Sequence, residues 1–141
     1  AMAAGYAFGS RIRPPDRELV EQLLSAAGYA AEVEERLLDG VTGLSGSGPA
    51  FVARLIEAFI EAGKRLGLER EVARDLSIQT FFGTAKLLAE TGMEPLKLVE
   101  MVSSPKGTTV AGREVLEASD YAEVIGNTIR AAAQRSEELG R

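Results

Sequence analysis

Apolar residues recur at helical spacing along most of the chain and predict an all-α fold. Positions i, i+3, i+4 and i+7 share one face of a helix, and in these segments they are apolar while the opposite face is polar. About six or seven helices are expected, over residues 16–27, 34–41, 49–66, 71–90, 95–102, 108–118 and 121–139. Asp16 offers an N-cap for the first helix, and Gly28 ends it.

Strand-like sequence is limited to two short stretches near the start of the chain. Tyr6-Ala7-Phe8 is apolar and bounded by glycines, which fits a short strand or an extended arm. No obvious partner strand accompanies it. Residues 31–33 are a second, weaker candidate for a strand.

The segment 71–90 differs from the other helices because apolar residues occupy two of its faces. Ile78, Phe81 and Leu88 mark one face, and Val72 and Leu76 mark the other. A helix that is apolar on two sides needs two neighbours. The second neighbour comes either from another subunit or from the same chain, in which case the segment is a central core helix; the pattern leaves both readings open.

Composition narrows the possible chemistry. The chain has 141 residues, 45% of them hydrophobic, as expected for one globular domain with its own core. A net charge of -5 without a basic stripe argues against nucleic acid as a partner. The absence of Cys and His excludes disulfides, structural zinc and catalysis by imidazole or thiolate, and no metal site is expected. Without a signal-like leader or a long apolar run, we expect a soluble, cytoplasmic protein that does not engage a membrane.

Two loops combine small residues and hydroxyls directly before a helix, where free backbone N–H groups favour anions. The first is Ser45-Gly46-Ser47-Gly48-Pro49, which lies in a stretch, residues 43–49, that is predicted to be a flexible loop. It does not fit a dinucleotide fingerprint, since no strand precedes it and Phe51 occupies the third glycine position, and no Gly-Lys-Ser/Thr of a phosphate loop follows. An ordinary helix start capped by Ser47 explains it at least as well.

The second loop runs from Ser103 to Thr109. A carboxylate there would accept hydrogen bonds from the Ser104 hydroxyl and from the backbone N–H groups of Gly107, Thr108 and Thr109. Gly107 would let the ligand approach the backbone closely. Because Ser-Ser-Pro is also a common helix linker and Thr a common N-cap, the local pattern does not decide between a ligand site and a plain connection.

Two longer motifs resemble the hallmark stretches of pyrroline-5-carboxylate reductases. They are Val41-Thr42-Gly43-Leu44-Ser45-Gly46-Ser47-Gly48-Pro49-Ala50-Phe51 and Met101-Val102-Ser103-Ser104-Pro105-Lys106-Gly107-Thr108-Thr109-Val110-Ala111-Gly112, the latter followed by Val115-Leu116-Glu117. Their order and spacing also match, and the similarity covers nearly the whole chain. The resemblance implies a family that reduces 1-pyrroline-5-carboxylate to L-proline with NADPH or NADH, using an N-terminal Rossmann domain and a C-terminal helical domain that forms an interlocked dimer.

The resemblance also implies how this chain is divided. Residues 1–15 would be a stub or linker from the cofactor domain, with Tyr6-Ala7-Phe8 as its last strand, and residues 16–141 the dimerisation and substrate-binding domain. No cofactor-binding residue is expected in this chain, which would be inactive alone. The alternative is a helical interaction module that dimerises without turnover.

Residue by residue, the resemblance implies that Ser104, Gly107, Thr108 and Thr109 bind the substrate carboxylate. The Thr109 hydroxyl would contact the ring nitrogen and act in catalysis. Lys106 departs from the family pattern, which usually has a small residue, commonly Gly, at this position. A long cation there would either crowd the loop or strengthen the attraction of a carboxylate.

Overall fold

The computed structural model describes residues 2–140, and helices make up most of this range. The α-helices are α1 Pro14–Ala27, α2 Leu38–Val41, α3 Gly48–Arg65, α4 Arg70–Thr91, α5 Pro95–Met101, α6 Thr108–Glu117 and α7 Tyr121–Leu139. A 3-10 turn, Glu35–Leu37, precedes α2, and a π-helix, Thr42–Gly46, precedes α3. The predicted all-α class is confirmed. None of the helices within residues 2–140 is long and apolar enough to cross a membrane.

The chain divides into two units, residues 1–51 with 122–141 and residues 52–121. The first unit contains two strands, β1 Met2–Tyr6 and β2 Gly28–Glu32, which pair in parallel. The strand predicted at residues 6–8 is therefore wrong in position, because β1 ends at Tyr6, and it does have a partner. Only the long-range pairing across α1 makes the alanine-rich residues 2–4 extended, so local sequence does not reveal it.

Helix α1 begins two residues before the predicted cap. Pro14 and Pro15 occupy its first turn, where the missing N–H groups cost nothing, and Arg13 is the N-cap without a side-chain hydrogen bond. Asp16 therefore lies inside the helix, and the prediction that it caps the helix is wrong. Its carboxylate instead accepts a hydrogen bond from the Arg13 guanidinium at 2.7 Å. The predicted end at Gly28 is confirmed, since Gly28 is the C-cap.

The predicted flexible loop at residues 43–49 is wrong, because most of it is helical. The Ser47 N–H donates to the Thr42 carbonyl at 2.8 Å, the i to i−5 bond of a π-helix. Gly43 is buried in this segment, and a Cβ built on it would lie 2.7 Å from the Ile129 carbonyl oxygen of α7. The close approach to α7 is a tertiary contact that sequence patterns do not report.

In the second unit, α3 and α4 pack around a very small core. Ile60 on α3 is 3% exposed and Ala73 on α4 is 2% exposed. Gly63 allows this approach, since a Cβ there would lie 3.1 Å from the Ala73 Cβ. Phe59 and Phe81 add an edge-to-face ring contact with centroids 5.1 Å apart. Ser77 on α4 is also buried, and the other residues of the two helices are half-buried or exposed.

Helix α4 keeps large apolar side chains exposed on both of its predicted faces. Val72 and Leu76 are exposed on one, and Ile78 and Phe82 on the other. It is therefore not the central core helix of a single chain. Exposed apolar surface on this scale marks an interaction surface rather than a solvated one.

Candidate functional site

The second loop forms a tight turn between α5 and α6, all within the unit of residues 52–121. The Ser103 N–H donates to the Glu100 carbonyl at 3.3 Å as α5 ends. A turn then closes through the Gly107 N–H, which donates to the Ser104 carbonyl at 2.9 Å, and α6 begins at Thr108. Four of the predicted site positions therefore lie together at the start of one helix.

Gly107 holds this turn in a shape that tolerates no side chain. A Cβ built on it would overlap the Ser104 hydroxyl and lie 2.9 Å from the Ser104 carbonyl oxygen. Glycine is therefore needed at this position because Ser104 lies so close to it. An unusual dihedral is not the reason, since the φ of Gly107 is −78°. As a result, the Ser104 hydroxyl is held against the backbone where α6 starts.

The first backbone donors of α6 have no acceptor in the helix. Thr108, Thr109 and Val110 precede the first residue that bonds back, Ala111, whose N–H donates to the Gly107 carbonyl at 3.3 Å. Gly107 is the N-cap, so the threonine cap considered from sequence is wrong, and no side chain caps the helix. Of the donors inferred for a carboxylate, the N–H groups of Thr108 and Thr109 have no acceptor within residues 2–140. The Gly107 N–H is already used inside the turn.

The charges around the start of α6 favour an anion. A helix N-terminus carries a partial positive charge, and α6 has no acidic residue in its first turn. Lys106, just before the N-cap, adds a formal positive charge. Its backbone has φ 59°, in the left-handed region that glycine occupies more readily. Glycine would adopt this dihedral without the steric cost that lysine has there.

The side chains at this turn can bind and orient an anion but supply no proton-transfer group active near neutral pH. Ser104, Thr108 and Thr109 are exposed, and their hydroxyls are not acids or bases in that range. Within residues 2–140, no three acidic, histidine or cysteine side chains come together to hold a metal ion. Chemistry at this turn therefore depends on positioning a reactant.

Sequence reasoning missed two buried polar atoms near this turn. The Ser103 Oγ is buried without a hydrogen-bond partner among the described residues. The Arg113 Nε of α6 is buried without a hydrogen bond as well, although it lies 3.3 Å from the Glu117 carboxylate in an ion pair. Of the two adjacent serines, the motif pointed to Ser104, and no sequence signal separates an exposed hydroxyl from a buried one.

Two hydroxyls in or just before the first loop donate to backbone carbonyls of α2. The Thr42 hydroxyl donates to the Leu38 carbonyl at 2.9 Å, and the Ser45 hydroxyl donates to the Val41 carbonyl at 3.1 Å. The Ser47 carbonyl accepts the Ala50 N–H at 3.1 Å as α3 begins, and no side-chain hydrogen bond of Ser47 occurs among the described residues. This segment follows a helix rather than a strand, so it does not form a dinucleotide-binding turn.

Residues 35–139 match the family model described as pyrroline-5-carboxylate reductase dimerisation. A pyrroline-5-carboxylate reductase of Synechocystis sp. is 44% identical over 135 residues, which cover 96% of this chain and 51% of the relative. One from Methanosarcina acetivorans is 43% identical over 139 residues, covering 99% of this chain and 52% of the relative. The chain thus spans about half the length of the curated relatives it matches.

Solved structures give the same result. A pyrroline-5-carboxylate reductase from Coxiella burnetii superposes with a TM-score of 0.92 at 34% identity, over 96% of this chain and 51% of that one. The Plasmodium falciparum pyrroline carboxylate reductase with NADP bound superposes with a TM-score of 0.83 at 28% identity, over 97% of this chain and 53% of that one. This chain again corresponds to about half the length of each of these proteins.

Proposed function

Because the chain belongs to the pyrroline-5-carboxylate reductase dimerisation family, we propose that it is the helical part of an enzyme that reduces 1-pyrroline-5-carboxylate to L-proline. The observation that carries the proposal is the family match over residues 35–139, which includes the anion-favouring turn at the start of α6. In the complete enzyme this part supplies the subunit interface and the substrate carboxylate site. The cytoplasm remains the predicted location.

The substrate carboxylate accepts hydrogen bonds from the N–H groups of Thr108 and Thr109 and from the Ser104 hydroxyl. The Gly107 N–H joins them only if its bond to the Ser104 carbonyl opens. The Thr109 hydroxyl then meets the ring nitrogen, whose charge changes when hydride reaches the neighbouring carbon. The contribution of these residues is to fix the orientation of the imine, and no protein nucleophile takes part.

NADPH or NADH supplies the hydride, and we place its binding site outside this chain. The Plasmodium falciparum relative has NADP bound, and it is about twice as long as this chain. The residues present do not form a dinucleotide site. The closely spaced glycines of the first loop, Gly46 and Gly48, follow a helix, whereas a dinucleotide-binding turn follows a strand. We therefore expect the chain alone to bind no NADPH and to show no reductase activity.

A second copy of the chain covers the apolar faces of α4. In the second unit, a groove of about 370 Å³ is lined almost entirely by apolar atoms of Phe59, Phe81, Ala85 and Leu88, with Thr80 and Thr84. The small residues Gly83 to Ala85 allow close approach of a partner helix. Residues 16–141 form the dimerisation part of this proposal, and residues 1–15 connect it to the cofactor domain. Equilibrium sedimentation should give a dimer or larger assembly, and a monomer at micromolar concentration would contradict it.

The carboxylate site is tested by titrating L-proline into the ¹⁵N-labelled chain. The amide signals of Thr108 and Thr109 should shift on saturation. Gly107→Ala should remove the response, because the added methyl displaces the Ser104 hydroxyl. Gly112→Ala is the matched control, since a Cβ at that position in α6 meets nothing within 4 Å. Equal shifts with pyrrolidine, which lacks a carboxylate, would contradict the assignment, as would an unaltered response in Gly107→Ala.

A further inference from the structure

We propose that Lys106 recruits the substrate: its ammonium group adds to the positive end of α6 and strengthens the binding of a carboxylate there. The inference rests on the proposed function, since it requires a carboxylate ligand at Thr108 and Thr109. Two independent observations carry it, the backbone conformation of Lys106 and the balance of charge around it.

Lys106 has an unfavourable backbone conformation. It is the only residue other than glycine with a positive φ among residues 2–140. The left-handed region brings Cβ too close to the neighbouring carbonyl oxygen, so glycine and asparagine occupy it more easily than lysine. Such a conformation is often found where a side chain has a function, so it calls for an explanation other than stability.

Lys106 also lies at the wrong end of a helix for a cation. Positive side chains stabilise helix C-termini and are disfavoured at N-termini, where the helix dipole has the same sign. No acid in the first turn of α6 offsets this charge.

The other lysines of the chain are paired. Lys64, Lys86 and Lys97 each lie within 4.0 Å of a glutamate carboxylate on their own helix. No such carboxylate accompanies Lys106 among the described residues, and its side chain is exposed. The start of α6 therefore carries a dipole, free N–H groups and a formal charge, all positive. A bound carboxylate is the group that would balance them.

The test compares Lys106→Asn with the unaltered chain by titrating L-proline and following the Thr108 and Thr109 amide signals. Asparagine tolerates the left-handed conformation but removes the charge. At about 0.02 M salt, where charges act over roughly 20 Å, Kd should rise about fivefold. At about 0.5 M salt, where the screening length is about 4 Å, the difference should largely vanish.

Two further variants separate charge from structure. Lys106→Arg keeps the charge and should keep Kd within about twofold. Lys97→Gln removes an exposed, paired lysine of α5 and should leave Kd unchanged. Without ligand, Lys106→Asn should melt no lower than the unaltered chain, because asparagine relieves the backbone conformation, whereas loss of a purely structural lysine would lower the melting temperature.

The possible failures are distinct. If the unaltered chain binds L-proline and Lys106→Asn binds it equally at low salt, the role of Lys106 is overturned while the carboxylate site stands. A loss of affinity in Lys106→Asn that is the same at both salt concentrations also overturns it. A weaker subunit association in Lys106→Asn would instead place Lys106 opposite an acid of a second copy. If the unaltered chain binds no L-proline at α6, the carboxylate site fails, and the role of Lys106 fails with it.

Discussion

Gly43→Ala should destabilise the chain, although alanine normally stabilises a helix relative to glycine. Gly43 is buried in the π-helix, against the backbone of α7. A Cβ there would lie 2.7 Å from the Ile129 carbonyl oxygen and 3.0 Å from the Ala133 N. These are backbone atoms of a long helix, so no side-chain rotation relieves the overlap. Either α7 or the π-helix has to move.

The size of the effect follows from two opposing contributions. Ordinary contacts of a Cβ begin near 3.4 Å, so the distance from this Cβ to the Ile129 carbonyl oxygen is too short by about 0.7 Å. Overpacking of this kind costs about 1–3 kcal/mol. Against this, replacing glycine by alanine in a helix stabilises the folded state by about 0.5–1 kcal/mol. We therefore expect a net loss of about 1–2 kcal/mol in the free energy of unfolding.

Gly46→Ala is the matched control, three positions along the same π-helix. The nearest atom to a Cβ at Gly46 is the Thr42 Cγ2 at 3.6 Å, an ordinary contact. This variant should be neutral or gain up to about 1 kcal/mol. Urea unfolding followed by circular dichroism at one fixed protein concentration measures both, since subunit association adds to apparent stability. A Gly43→Ala midpoint equal to or above that of Gly46→Ala would refute the close packing on α7.

Three further outcomes are expected. Thr109→Ala in the complete reductase should lower turnover more than about tenfold, or about 1.4 kcal/mol of transition-state stabilisation, and unchanged kinetics would remove Thr109 from the mechanism. Ser136→Ala should cost about 1 kcal/mol in urea unfolding, because the Ser136 hydroxyl donates a 2.6 Å hydrogen bond to the Asp39 carboxylate; no change would mean that water replaces it. The pKa of Glu61 is lowered chiefly by a hydrogen bond from Lys64, with partial desolvation opposing it. This pair therefore adds stability above the ordinary glutamate pKa and loses it as the pH falls through the lowered value. Lys64→Gln should raise the Glu61 pKa in an NMR titration, whereas an unmoved titration would show that Lys64 is not the cause.

The helical part of the fold was predictable because helical periodicity is local. Helices α3, α4 and α7 begin and end within one or two residues of the boundaries that the apolar pattern indicated. Two of the errors came from long-range effects. Strand β1 depends on pairing with β2 across a whole helix, and the π-helix depends on the approach of Gly43 to α7. Neither contact changes the apolar periodicity of the sequence, so the pattern does not predict it.

The candidate site was predictable only as a set of residues. The motif named Ser104, Gly107, Thr108 and Thr109, and the structure brings them to one turn. It did not reveal that the Gly107 N–H is used within that turn, nor that Lys106 has a left-handed backbone. Both depend on backbone dihedral angles, which a single sequence restricts strongly only at proline.

The parallel pair of β1 and β2 leaves a row of backbone donors and acceptors on each outer side. Two strands alone are marginal in water, and such rows readily accept a further strand from another molecule. At high concentration this chain should therefore aggregate, and the aggregation should begin at the strand edges of residues 2–6 and 28–32. A soluble peptide that supplies a third extended segment would protect those amides from hydrogen exchange, and it would make crystals easier to obtain.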